Sequence, residues 1–95
     1  MRVRYSRRAR DDLDQIYSYL HERSPVAATA VLKRIRNRIG RLADFPLMAP
    51  VTELHGVWGL SVSRYPYKAY YRIMKDEVLI LHAHDLRRAP WTGED

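Results

Sequence analysis

Apolar and polar residues alternate at the start of the chain, where Val3 and Tyr5 are separated by Arg2 and Arg4. A period of two predicts a short first strand. The period then lengthens. Ala9, Leu13, Ile16, Tyr17 and Leu20 fall within an arc of roughly 100° on a helix and predict a core stripe that includes Tyr17. Ser6 offers an N-cap hydroxyl. Asp11, Asp12 and Asp14 lie off the stripe, in the half of the helix where its dipole favours anions. The predicted first helix runs from about Ser6 to Arg23. Ser24-Pro25 restarts the pattern, with a capping serine and a proline whose missing N–H is harmless at the first helical position. Ala28, Val31, Leu32, Ile35, Ile39 and Leu42 form the second stripe. Lys33, Arg34 and Arg41 fall on the opposite side, and the helix is expected to end near Phe45-Pro46. So short a connection predicts an antiparallel helical hairpin.

Residues 46–56 hold two prolines and a glycine and read as irregular. Trp58, Leu60 and Val62 then alternate with Gly59, Ser61 and Ser63, a strand pattern. Tyr65-Pro66 is a break. Tyr67 to Met74 is an alternating aromatic strand, Lys75-Asp76 a tight turn, and Val78 to Ala83 a nearly continuous apolar strand. Such continuity predicts a central strand covered on both faces. The order is β-α-α-β-β-β, an α+β fold in which a helical hairpin packs on a small antiparallel sheet. Ninety-five residues make one domain, 1–95.

Charge adds to this picture. Seventeen Lys and Arg against eleven Asp and Glu leave +6, and the excess is mostly arginine, whose planar fork holds phosphate or carboxylate bidentately. A polyanionic partner is implied: nucleic acid, ribosome or an acidic protein segment. Cysteine is absent, which removes disulfides and thiolate metal sites and fits the cytoplasm. The charged N-terminus shows no signal-peptide core, and the run Val78-Leu79-Ile80-Leu81 is too short to span a membrane. The four histidines match no familiar metal spacing, so neither metal nor cofactor is expected. The seven tyrosines read first as core residues with hydroxyls at the rim, and only second as a platform for bases. Arg34, Arg36, Arg38 and Arg41 form either a solvated helix face or a surface that steers an acidic partner.

Four segments resemble one family. They are Ser6 to Tyr19, Arg41-Leu42-Ala43-Asp44-Phe45-Pro46, the run from Ser63 to Arg72, and the tail Leu86-Arg87-Arg88-Ala89-Pro90-Trp91. In this order they resemble the RelE/ParE toxin superfamily of type II toxin–antitoxin systems over nearly the whole chain. The resemblance implies a small bacterial toxin held silent by an antitoxin, whose C-terminal segment is partly disordered when free. RelE-like members cleave mRNA on the ribosome, and ParE-like members poison DNA gyrase. The long helical hairpin favours the ParE-like branch.

Two departures from the superfamily pattern point the same way. Trp58 stands where many relatives carry arginine, and Asp85 where many carry histidine. Metal-free RNA cleavage needs a base, an acid and several cations around one phosphate. Lys68, Arg72, His84, Arg87 and Arg88 are the available set, with His82 a second proton carrier. A plain turn at Lys75-Asp76 places Lys68 opposite Ala83 and Tyr67 opposite His84. Asp85 repels phosphate and is expected to draw Arg87 or Arg88 into a local pair. The expected activity is therefore non-enzymatic, growth arrest through DNA gyrase, with ribosomal mRNA as the alternative target and a non-toxic antitoxin-binding remnant as a third reading. Arg87, Arg88 and Trp91, with Arg64, are the expected target contacts, because arginine and tryptophan are the residue types that anchor interfaces.

Overall fold

The computed structural model describes residues 1–94. The elements are β1 (Arg2–Tyr5), α1 (Arg7–Arg23), α2 (Pro25–Gly40), a 3-10 turn (Arg41–Ala43), β2 (Trp58–Ser61), β3 (Tyr67–Ile73) and β4 (Glu77–Asp85). This is the expected order. The capping reading also holds. The Ser6 hydroxyl accepts from Ala9 N, and Ser24 closes α1 while its side chain caps α2 at Ala27 N. The second helix tightens sooner than its apolar stripe suggested: α2 stops at Gly40, and the 3-10 turn carries Leu42 into the core.

The sheet order is β1-β4-β3-β2. The β2–β3 and β3–β4 pairs are antiparallel, but β1 lies parallel to β4, so the α+β sheet is mixed. Parallel neighbours cannot be joined by a hairpin. Everything from α1 to β3 forms the crossover between them. Leu13, Ile35, Ile39 and Leu42 from the helical layer meet Leu60, Tyr71, Val78 and Ile80 of the sheet. Tyr17 leaves the stripe assigned to it: it sits at the stripe's margin, is 39% exposed, and leans on His21 instead. Strand β4 is internal, as expected, but its second face is only partly covered, and Leu79 and Leu81 stay half-buried.

One irregularity decides where the chemistry sits. Tyr71 pairs with Ile80, yet Tyr70 pairs with His82, so Leu81 is an extra residue on β4. Lys68 therefore lies opposite His84 and Tyr67 opposite Asp85, one position on from the register of a plain hairpin. A bulge exchanges the faces of everything beyond it. Val78, Ile80 and Ala83 all enter the core, while His82 and His84 join Tyr70 on the other face.

The Tyr71 side chain is fully buried, and its hydroxyl donates to Pro46 O at 2.8 Å, tying the loop after the helices to the sheet. Tyr71→Phe is expected to cost about 1 kcal/mol. Thermal unfolding should show it as a fall in midpoint of about 5 °C, and an unchanged midpoint would mean the loop carbonyl finds another donor.

Candidate functional site

Strand β1 ends opposite Ile80, which leaves the carboxyl half of β4 open along one edge. The chain closes that edge with side chains. Ser6 N donates to Ile80 O, and the Ser6 hydroxyl reaches Leu81 O at 3.1 Å. Nearly two turns further on, Asp12 Oδ2 accepts from Ala83 N at 3.0 Å. Beyond that point α1, the end of β4 and the segment 86–92 enclose a groove of ≈490 Å³. Arg8, Asp12, Tyr19, His84, Arg88 and Trp91 are among its walls.

A chain of hydrogen bonds crosses the groove floor. Arg8 Nε donates to Asp12 Oδ1 at 3.0 Å. Asp12 Oδ2 also meets His82 Nδ1 at 2.6 Å. An ionised carboxylate only accepts, so His82 carries its hydrogen on Nδ1. His82 Nε2 and His84 Nδ1 then share a hydrogen bond of 3.1 Å. Both imidazoles are buried, at 5% and 7% exposure. Burial, reinforced by the neighbouring His82, pushes the His84 pKa down. Burial alone would raise the Asp12 carboxyl, but hydrogen bonds from His82, Ala83 and Arg8 outweigh it and hold the pKa below its usual value. Tyr70 stacks on His82, and Trp91 covers both, with centroids 4.7 Å from Tyr70 and 4.9 Å from His82.

Asp85 forms the local pair its sequence position predicts. Its carboxylate takes Arg87 Nε and Nη2 at 2.9 and 2.8 Å and the Arg87 backbone N–H at 2.9 Å. The Arg87 hydrogen bonds hold the Asp85 pKa down against partial burial. Arg88 is exposed, and no described carboxylate pairs with it. Arg87, Arg88 and Trp91 thus share one groove. Arg64 does not join them. It lies in a separate cleft with Lys33, Arg34 and Asn37 of α2.

The alternative set for RNA cleavage is only partly assembled. The bulge brings Lys68 opposite His84, where Lys68 Nζ lies 5.5 Å from the Tyr70 ring. Arg72 is four residues along β3, about 13 Å away, and donates to His55 O at 3.4 Å. Trp58 stacks on Tyr71 at 6.3 Å. Among the described residues no cluster of His, Asp and Glu is arranged to hold a metal ion, and no described helix is long and apolar enough to cross a membrane.

A sequence model described as "ParE toxin of type II toxin-antitoxin system, parDE" matches residues 3–88. The chain belongs to the ParE toxin family. The curated protein named "Putative toxin Y4kP", from Sinorhizobium fredii (strain NBRC 101917 / NGR234), is 34% identical over 85 residues, covering 87% of this chain and 88% of that protein. A solved structure titled "Chromosomal ParDE TA system from P. aeruginosa" superposes with a TM-score of 0.81 at 27% identity, covering 90% of this chain and 96% of that one. The protein is a ParE-type toxin of a type II toxin–antitoxin system.

In this ParE-type chain sequence reasoning missed Asp12 and Tyr19 in the groove wall and Tyr70, which packs against His82 and Trp91. Asp12 read as a dipole-favoured surface acid. Its spacing of four from Arg8 was a signal for that one pair. Nothing in the sequence tied it to His82, seventy residues away. The pairing of Tyr70 with His82 depends on the bulge at Leu81, and no glycine or proline marks that bulge.

Proposed function

We propose that this toxin arrests growth by binding DNA gyrase in the cytoplasm and trapping it, without cutting RNA, and that a cognate antitoxin neutralises it. One observation carries the reading: two of the five groups an RNA-cleaving site would draw on, one cation and the proton carrier, are already committed. Arg87 is held in a fork by Asp85, and His84 is buried against His82. What the groove offers outward is Arg88 and the edge of Trp91, which suit docking better than proton transfer. The antitoxin is expected to bring an acidic and apolar segment, disordered when free, that folds onto the basic surface in a stable hetero-oligomer.

Two assays side by side test the target: gyrase supercoiling and cleavage with purified toxin, and mRNA cleavage on programmed ribosomes. The expected outcome is stabilised gyrase–DNA cleavage with mRNA intact. The opposition of Lys68 and His84 supports the second reading, a ribosome-dependent endoribonuclease. Codon-positioned cuts with gyrase untouched would establish that reading. Growth unaffected by induction of the chain alone would point to a remnant that only binds antitoxin. Co-expression with the neighbouring open reading frame is expected to yield a co-purifying pair, and a chain that purifies alone, with no adjacent gene product bound, would remove the antitoxin from the proposal.

A further inference from the structure

The net charge of this protein has one address. No Asp or Glu lies between Glu22 and Asp44, and that stretch holds six of the seventeen Lys and Arg: Arg23, Lys33, Arg34, Arg36, Arg38 and Arg41. The remaining eleven cations match the eleven acids of the chain. The +6 is therefore concentrated here, one cation at the end of α1 and five on α2 and the 3-10 turn. At helical spacing Lys33, Arg34, Asn37 and Arg41 fall within an arc of about 100°, turned away from the stripe of Val31, Ile35 and Ile39. All four are exposed, and no described carboxylate pairs with Lys33, Arg34 or Arg41.

The loop after β2 adds to this face. Arg64 sits beside Lys33, Arg34 and Asn37 around a cleft of ≈260 Å³ whose lining holds no acid. Its backbone is left-handed, with φ 77°, and it is the one non-glycine residue described in that conformation. A glycine would hold such a turn without strain. Arg64 is exposed there and no described carboxylate pairs with it, so its charge adds to the face.

The occupant follows from what the face lacks. A peptide that folds onto a surface needs apolar anchors, and the lining of the cleft supplies only Ala30 and the Tyr65 ring. Single-stranded nucleic acid needs successive aromatic platforms, and Tyr65 is alone. The row from Lys33 to Arg41 rises about 12 Å, enough to meet several charges of a duplex that carries one per ~1.7 Å of axis. We propose that the outer face of α2, together with Arg64, is a sequence-independent binding site for the phosphate backbone of duplex DNA. It is distinct from the groove of Arg88 and Trp91.

The test is fluorescence anisotropy with a labelled random-sequence DNA duplex, titrated at several salt concentrations. Wild-type affinity should fall linearly on a log–log plot. The Lys33→Gln, Arg34→Gln, Arg64→Gln triple variant should bind at least about tenfold more weakly at low salt, with a slope shallower by about 2.7 for three lost phosphate contacts. Circular dichroism should show the variant folded, since every change is on the surface, and Lys33→Arg with Arg34→Lys should restore binding. Arg87→Gln with Arg88→Gln should leave duplex affinity within about twofold, because those residues lie off this face. Equal duplex affinity in the triple variant overturns the proposal. So does tighter binding of single-stranded RNA than of duplex. A triple variant that loses affinity for a poly-glutamate peptide but keeps it for duplex also overturns it, and makes the face a protein-docking surface. Gyrase trapping is read separately, so either idea can fail while the other stands.

Discussion

Replacing Asp12 with alanine is expected to destabilise the fold by about 3 kcal/mol, because one carboxylate satisfies three donors at a buried junction. Its side chain is 11% exposed, and it takes Arg8, His82 and the Ala83 backbone N–H at once. Alanine leaves the Ala83 N–H on an open strand edge and His82 without its orienting partner, and it removes the Arg8–Asp12 ion pair. Asp14, on the same helix and exposed, is the control, and Asp14→Ala should change stability by less than about 0.5 kcal/mol. Denaturant midpoints measure both. Equal small effects would mean that water serves the junction as well as the carboxylate does.

The same residue sets part of the acid response. The Asp12 pKa is depressed in the folded state, with hydrogen bonds from His82, Ala83 and Arg8 overriding a burial effect that raises it. A depressed carboxyl contributes stability that is fully present above its unfolded pKa of about 3.9, and that is lost as pH falls through the folded value. Stability of the wild type should therefore fall on acidification below about pH 4, and the Asp12→Ala chain should lack that share of the loss. Asp85 and Glu77, whose pKa values are also lowered by arginine partners, keep some acid sensitivity in both.

Much of the architecture was legible because it rests on local rules. Ser6, Ser24 and Pro25 mark helix ends by capping chemistry, and the two stripes show which helix faces are buried. The pairing of Asp85 with Arg87 was also legible, since the two are neighbours in the chain. Three features were not, and each depends on distant partners. The parallel placement of β1 depends on how the whole crossover packs. Tyr17 lies at the rim of its stripe, where tertiary contacts decide burial. The bulge at Leu81 decides most. A plain hairpin would send His82 toward the core and Ala83 outward, and one extra residue reverses both. The groove exists in this form because of that reversal, which hydrophobic patterning alone does not show in a run as evenly apolar as Val78 to Leu81.

Exchanging Arg87, Arg88 and Trp91 for alanine together is expected to abolish growth arrest while antitoxin binding persists. The three line one groove at the end of the sheet. Trp91 packs at a tilt against Tyr70 and His82 and stays half-exposed. Arg87, although forked to Asp85, leaves 55% of its side chain exposed, and Arg88 is open to solvent. Arginine and tryptophan anchors each contribute about 2 kcal/mol to an interface, so losing three should weaken target binding by more than about a thousandfold. The cost to the fold is smaller, since the segment 86–92 lies at the surface, and the melting curve should stay cooperative. Arg88→Ala alone, which breaks no described side-chain hydrogen bond or ion pair, should weaken gyrase trapping by about thirtyfold and so separate docking from folding. The decisive readings are growth after induction, gyrase cleavage with the purified variants, and antitoxin co-purification. A triple variant that still traps gyrase would move the docking surface elsewhere. One that loses antitoxin along with toxicity would show that the groove serves both partners, so that neutralisation works by direct competition for Arg88 and Trp91.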